Sequence, residues 1–200
     1  MLLWVGTSRI AGRGLFTAQP ITRGTHIIQY TGEKIPKAES DKRLRQGNHY
    51  IFQLNDRYDI DGKALGNKAR YINHSCEPNC TTQLTSRTIW IVALRDITPG
   101  EELTYNYGYE LDNAPAHPCT CGAETCCGAM VASRYQDVVR QRHATARGVE
   151  RITGIRTPDQ SCERSTGRRL SMRGDRSTPS GGGLCNMLQK AQPHDKLGPH

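Results

Sequence analysis

The sequence lacks a long hydrophobic run. Hydrophobic residues make up 36% of its 200 positions, and no stretch approaches the roughly 18–20 apolar residues that a membrane-spanning helix needs. It also lacks a secretory start. The apolar opening Met1–Val5 gives way at once to Gly6-Thr7-Ser8-Arg9, whereas a signal peptide wants a basic start and about 7–15 apolar residues. A chain neither membrane-integral nor exported by the usual route is expected. Aromatics are few, at 6%, and no internal repeat is visible. Helix signals are sparse as well.

Charge is plentiful but uneven. There are 27 Lys+Arg against 19 Asp+Glu, a formal net charge of +8. Residues 1–140 hold 16 basic and 14 acidic side chains, a net of +2, and residues 141–200 hold 11 and 5, a net of +6. The last sixty residues are also rich in Gly, Ser, Thr and Pro, as in the stretch GRRLSMRGDRSTPSGGG. With so little apolar surface, such a segment cannot offset the entropy of ordering, so a solvated tail is expected. Its charge offers a weak handle for an acidic partner, nucleic acid included. No aromatic residue interleaves the arginines, which argues against base stacking.

Eight cysteines are many for a chain without an export signal. Those at 76, 80, 119, 121, 126 and 127 form two clusters, and Cys162 and Cys185 lie in the basic region. Metal binding is then the better expectation than a disulfide framework. Cys119-Thr-Cys121-Gly-Ala-Glu-Thr-Cys126 brings three thiols into eight residues. One tetrahedral zinc would take them with a fourth ligand from elsewhere, Cys76 and Cys80 being the obvious donors.

Runs rich in Ile, Val, Tyr and Thr predict strands over Leu2–Val5, His26–Tyr30, Tyr50–Leu54, Tyr58–Ile60, Ile89–Leu94 and Glu102–Tyr107. Ile89–Leu94 is apolar throughout and should be a buried central strand. Short helices are expected over Lys37–Gln46, Ala64–Tyr71 and Val131–Arg142. The result is a mostly-β domain ending near residue 135.

Two further segments carry chemistry. Arg70–Cys80 packs Asn73, His74, Ser75 and two cysteines together, with amide and imidazole groups that can fix a polar ligand. Glu101–Tyr109 carries Tyr105, Tyr107 and Tyr109 at alternate positions, so an extended strand would put the three phenols on one face. They would serve either as a packed sheet surface or as the wall of a narrow channel for an amine. Gly12-Arg13-Gly14, taken alone, reads as a tight turn: Pro20 argues against the helix that a dinucleotide fingerprint requires.

In their order along the chain, GRGLF, QYTGE, YIFQL, DIDG, GNKARYINHSCEPNC, PGEELTYNY and CxCx4C resemble the SET-domain protein-lysine N-methyltransferases with a post-SET zinc segment. The resemblance implies small β-sheets around a pseudoknot, where the Asn-His-Ser segment threads beside the Glu-Leu-Thr-Tyr segment. It divides the chain into a SET domain over 1–112, a post-SET zinc-binding segment over 113–135 and a basic tail over 136–200. It implies S-adenosylmethionine as the methyl donor and one structural zinc ion. Gly12, Arg13, Gly14, Tyr50, Asn73, His74 and Tyr107 would form the donor's pocket. Tyr107 would be the catalytic tyrosine, Tyr105 would set the number of methyls, and Tyr30 would line the lysine channel. Cys76, Cys119, Cys121 and Cys126 would hold the zinc, leaving Cys80 and Cys127 spare.

The implied activity is methyl transfer to a lysine in a basic protein segment, giving mono- or dimethyl-lysine. A histone tail is the family default, with a bacterial or host basic protein as the other option. Location follows the substrate: nuclear or chromosomal for histones, cytoplasmic for a bacterial target. Asp56, Asp59, Asp61, Glu101 and Glu102 are candidates for attracting a basic substrate. Some positions depart from the family pattern. Asn106 stands where Asp is usual, Ala11 where His or Lys is common, and Cys127 where Arg is frequent. The rival readings are a zinc-stabilised binding module without turnover and a nucleic-acid binder driven by the tail.

Overall fold

Short strands with alternating burial pair into small separate sheets, and the computed structural model describes residues 1–153 of the chain. β1 (Leu3–Thr7) and β2 (Arg13–Thr17) form an antiparallel hairpin, Thr7 opposite Arg13. The sequence suggested only a turn at Gly12–Gly14, but buried Leu15 and Thr17 on the strand behind it extend the pairing to Leu3. β3 (His26–Tyr30), β8 (Cys80–Leu84) and β9 (Ile89–Ala93) make a three-stranded sheet in the order β3-β9-β8. β9 is central, as its composition predicts, with Ile89 and Ile91 fully buried and Trp90 and Val92 half-buried between them.

A third sheet, in the order β4-β6-β5, joins β4 (Glu33–Pro36), β5 (Ile51–Gln53) and β6 (Tyr58–Asp61). Helix α1 (Lys37–Arg45) covers it, seating Leu44 against Ile35 and Ile51. Glu39 and Arg43, one turn apart, pair at 2.9 Å along its outer face. Where Ala64–Tyr71 was expected to coil, one turn of 3-10 helix forms over Lys68–Tyr71.

The decisive pairing is the smallest. β7 (Asn73–His74) lies parallel to β10 (Thr104–Tyr105), with Asn73 opposite Thr104 and His74 opposite Tyr105. The expected strand over Glu102–Tyr107 is thus regular for two residues only. The side chain of Asn79 locks the crossing: its Nδ2 donates to the Glu102 carbonyl at 2.7 Å, and its Oδ1 accepts from the Thr104 N–H at 2.8 Å. Beneath it lies the main core, which includes Leu15, Phe52, Ile72, Leu103 and Tyr105.

Chain order does not stop at residue 135. The helix expected over Val131–Arg142 forms later and runs longer: after a 3-10 turn over Ser133–Tyr135, α2 spans Gln136–Thr153 and enters the stretch read as tail. Val139 is buried against a second cluster with Cys76, Cys119, Cys127 and Val131, which gives the helix an anchoring face the polar sequence understates. The remainder of the expected tail, 154–200, lies outside the described residues, as do Cys162 and Cys185.

Candidate active site

Four sulfurs meet where the knot touches the following segment. The Sγ atoms of Cys76, Cys119, Cys121 and Cys126 all lie within 4.8 Å of one another. Cys76 Sγ stands 3.8 Å from those of Cys119 and Cys126, which matches the edge of a tetrahedron with zinc–sulfur bonds of about 2.3 Å. The four thiols are not alike: hydrogen bonding with Cys119 and burial push the Cys76 thiol upward, whereas at Cys121 desolvation is outweighed by hydrogen bonds from the Cys76 and Ala123 backbone, which bring it down to about 7. A divalent ion that takes thiolates suits this donor set. Cys80, the other candidate donor, is fully buried in the main core instead. Cys127 is buried beside the cluster, 3.8 Å from Cys76, with its Sγ donating to the Ala129 carbonyl at 3.1 Å.

The cysteine cluster is tied to the knot. The Ser75 N–H donates to the Tyr105 carbonyl at 3.3 Å, and Gln136 Nε2 donates to the Cys76 carbonyl at 3.2 Å. His74 stands between the two sites. Its Nδ1 accepts the Tyr107 N–H at 3.1 Å, which leaves Nε2 to carry the proton, 3.7 Å from Cys76 Sγ. Burial holds this imidazole neutral, its pKa lowered to about 4.

On the other side of the knot opens a cavity of about 460 Å³, within the usual range for a small-molecule site. Arg13, Tyr30, Tyr50, Asn73, Tyr105 and Tyr107, all singled out in the sequence, lie on its wall. Gly12, Gly14 and the buried His74 ring do not. Gly14 has a different constraint: a Cβ there would come within 2.3 Å of Glu102 Oε1. Tyr109, read with Tyr105 and Tyr107 as a possible channel wall, lines the cavity too, as do His49, Arg70, Tyr71, Ile72 and His117, which were not assigned to it. Arg70–Ile72 directly precede the Asn-His pair, so that signal was present. His117 carried none: only the fold stacks it on Tyr109, with ring centroids 3.9 Å apart.

The wall has two chemical halves. At one, guanidinium groups stack on rings: Arg70 lies 3.9 Å from the Tyr50 ring centroid and Arg13 5.1 Å from that of Tyr71. Arg70 Nε is buried there without a hydrogen-bond partner, and so is His117 Nε2 against Tyr109. At the other, Tyr105 and Tyr107 pack with centroids 4.9 Å apart, and Phe52 sits 5.2 Å from Tyr30 and 5.9 Å from Tyr105. Desolvation raises the pKa of Tyr30, Tyr105 and Tyr107, so all three are neutral phenols. Tyr107 Oη donates to the Ile72 carbonyl at 3.0 Å, and Tyr30 Oη to the Tyr50 carbonyl at 2.9 Å. With those protons committed, the oxygen lone pairs remain to accept.

The acidic residues considered as a substrate lure are mostly spoken for. Asp59 is buried and pairs with Lys37 at 2.5 Å, and Asp61 pairs with Arg43 at 2.7 Å. Glu101 is held by Arg95 and Asn79, and Glu102 faces Ser8 and Asn73. The exception is Asp56, exposed in the turn between β5 and β6.

Comparison with known proteins agrees with this architecture. Residues 12–108 match the SET domain family. The "Histone-lysine N-methyltransferase, H3 lysine-4 specific" of Schizosaccharomyces pombe is 40% identical over 138 residues, 64% of this chain and 15% of that protein. The Arabidopsis thaliana "Histone-lysine N-methyltransferase ATXR7" is 42% identical over 126 residues, 58% of this chain and 9% of that protein. Among solved structures, a humanized mutant of the Chaetomium thermophilum Polycomb Repressive Complex 2 bound to the inhibitor GSK343 is similar, with a TM-score of 0.50 and 34% identity over 54% of this chain and 15% of that one. The chain thus carries a SET domain, followed by a cysteine cluster compatible with a post-SET zinc site. It spans a small part of the length of these relatives.

Proposed function

We propose that the protein transfers a methyl group from S-adenosylmethionine to a lysine of a basic protein segment. The observation that carries this reading is the parallel β7–β10 pairing, which brings Asn73, Tyr105 and Tyr107 to one cavity with Arg13 and Tyr30. The donor supplies an activated methyl on a positively charged sulfur. Arg13 suits its carboxylate, and the amide oxygen of Asn73 suits its ammonium. The buried phenols form a channel of low dielectric, which favours the neutral lysine that must attack, against a free pKa of about 10.4. The lone pairs of Tyr107 Oη orient the amine and hold the methyl by weak carbon–hydrogen contacts. Among the described residues no carboxylate lines the cavity, and the His117 imidazole stacks on Tyr109 rather than on Tyr107, so water is the route for the lysine proton. Alignment and exclusion of water then supply the rate.

Histone H3 is the first substrate to test, because the fission-yeast relative is named for H3 lysine 4. Such a substrate would place the protein in the nucleus or on chromatin. A basic bacterial or host protein would place it elsewhere. The packed Tyr105 phenol supports mono- or dimethylation. Radiolabelled S-adenosylmethionine, incubated with core histones or a bacterial lysate, tests the reading. Label should reach a protein band, and Tyr107→Phe should lower the rate on the order of 10²-fold. Donor binding without transfer to any protein would turn the reading to a non-catalytic module.

A further inference from the structure

Glu102 was considered as a surface charge, yet its carboxylate is turned inward. Ser8 Oγ donates to Glu102 Oε1 at 2.8 Å and Oε2 at 2.9 Å. Asn73 Nδ2 donates to the same Oε1 at 2.7 Å, to the Arg13 carbonyl at 3.0 Å and to Ser8 Oγ at 3.1 Å. Ser8 Oγ also accepts the Ile10 N–H at 2.9 Å. One carboxylate thus joins three chain segments: the β1–β2 turn, the Asn-His strand and its own.

We infer that Glu102, acting through Ser8 and Asn73, is the positioning residue that fixes the Asn73 amide for binding the methyl donor. This rests on reading the cavity as the donor's site. A carboxylate only accepts hydrogen bonds. Both neighbours must therefore donate to it, which sets the amide in one orientation: Nδ2 inward and Oδ1 left for the cavity. Asn73 Oδ1 has no protein partner among the described residues, and Asn73 lies on the cavity wall. A flipped amide would turn N–H groups toward the donor's ammonium and lose that contact. Gly14 belongs to the same device, because any side chain there meets the carboxylate. Glutamine cannot replace Glu102. Its single oxygen can serve Asn73 and Ser8 together, but its NH2 then faces Ser8 Oγ, which already accepts from Ile10 and Asn73, and an amide that donates as well as accepts no longer forces both neighbours to donate.

The test is a double-mutant cycle on the full chain, read as S-adenosylmethionine affinity by calorimetry and as KM and kcat on core histones. Glu102→Gln, close in shape to the original, should weaken affinity and raise KM for the donor about tenfold. The change in kcat at saturation should be about twofold, and the melting temperature should be little altered. Ser8→Ala should act in the same direction. In an Asn73→Ala background the Glu102→Gln effect on affinity should vanish, because the amide it positions is gone. If the two substitutions add, or if Glu102→Gln lowers kcat and melting temperature without changing affinity, Glu102 is merely structural and the inference falls alone. If Asn73→Ala itself binds the donor as the parent does, the reading of the cavity falls and takes the inference with it.

Discussion

Tyr105 and Tyr107 are neighbours in sequence and space, yet their surroundings give them different work. Tyr107 reaches the Ile72 carbonyl and packs edge-on to His74 at 5.4 Å between centroids. Its oxygen is therefore fixed where the knot closes. Tyr105 lies deeper, 2% exposed, with its ring between Phe52 and Tyr107. A phenol hydroxyl there can hold a water in the space that added methyl groups would need. Tyr105→Phe should raise the methylation number, giving trimethyl-lysine where the parent stops at one or two. Mass spectra of the methylated substrate decide this. Trimethyl product from the parent would show that Tyr105 sets no such limit.

At the scale of elements, the knot and the cysteine segment stand on different chemistry. The knot depends on Asn79 and Glu101 as well as on its apolar core. Desolvation works to raise the Glu101 pKa. Donors on Arg95, Asn79 and the Thr98 N–H outweigh it and bring the carboxyl down to about 2. A carboxylate lowered by folding stabilises the native state above its unfolded pKa, and that contribution is lost as pH falls through the folded value. The protein should lose stability from about pH 4.5 towards pH 2, and Glu101→Gln should flatten that part of the curve. Acid melts followed by circular dichroism would show it, and equal slopes in both proteins would count against the role.

The segment after the SET domain has a small core in which cysteines are prominent. Thiolate–metal bonds there would supply folding energy that apolar burial does not. A strong zinc chelator should loosen residues 117–139 while β3, β8 and β9 keep their protection from hydrogen exchange. Protein purified without zinc, but with that segment equally protected, would contradict a structural ion.

At the scale of the whole molecule, the catalytic and the basic portions should separate. Among the described residues, α2 is the last element; its first turn grips the cysteine cluster through Gln136 and Val139. Removing residues 154–200 should leave methyl transfer within about twofold of the full chain. It should also abolish any nucleic-acid binding that weakens steeply with salt. Gel shifts at two ionic strengths, beside the transfer assay, would measure both. Binding that survives the deletion would move the nucleic-acid surface onto the folded portion.

Local sequence carried much of this. Apolar β-branched runs marked His26–Tyr30 with the bounds observed and Ile89–Ala93 within one residue, because period-2 burial is written into neighbouring residues. Cysteine spacing marked three of the four sulfurs, since a short loop alone brings them together. β2, β4 and β8 escaped notice: their few apolar residues are interleaved with Gly, Pro, Thr and charge, and their partners decide that they are strands.

The sequence by itself determined which groups are available and in what order: a glycine turn, an Asn-His pair, alternating tyrosines, clustered thiols. The tertiary structure decided which of them meet. Asn73 and Glu102 are 29 positions apart and Ser8 and Glu102 are 94 apart, yet they share one carboxylate. His74, equally visible in the sequence, has its ring behind the wall instead of on it. No local periodicity encodes such meetings. They follow from the parallel crossing of two short strands, whose register sets whether a polar side chain faces the cavity, a neighbour or the core.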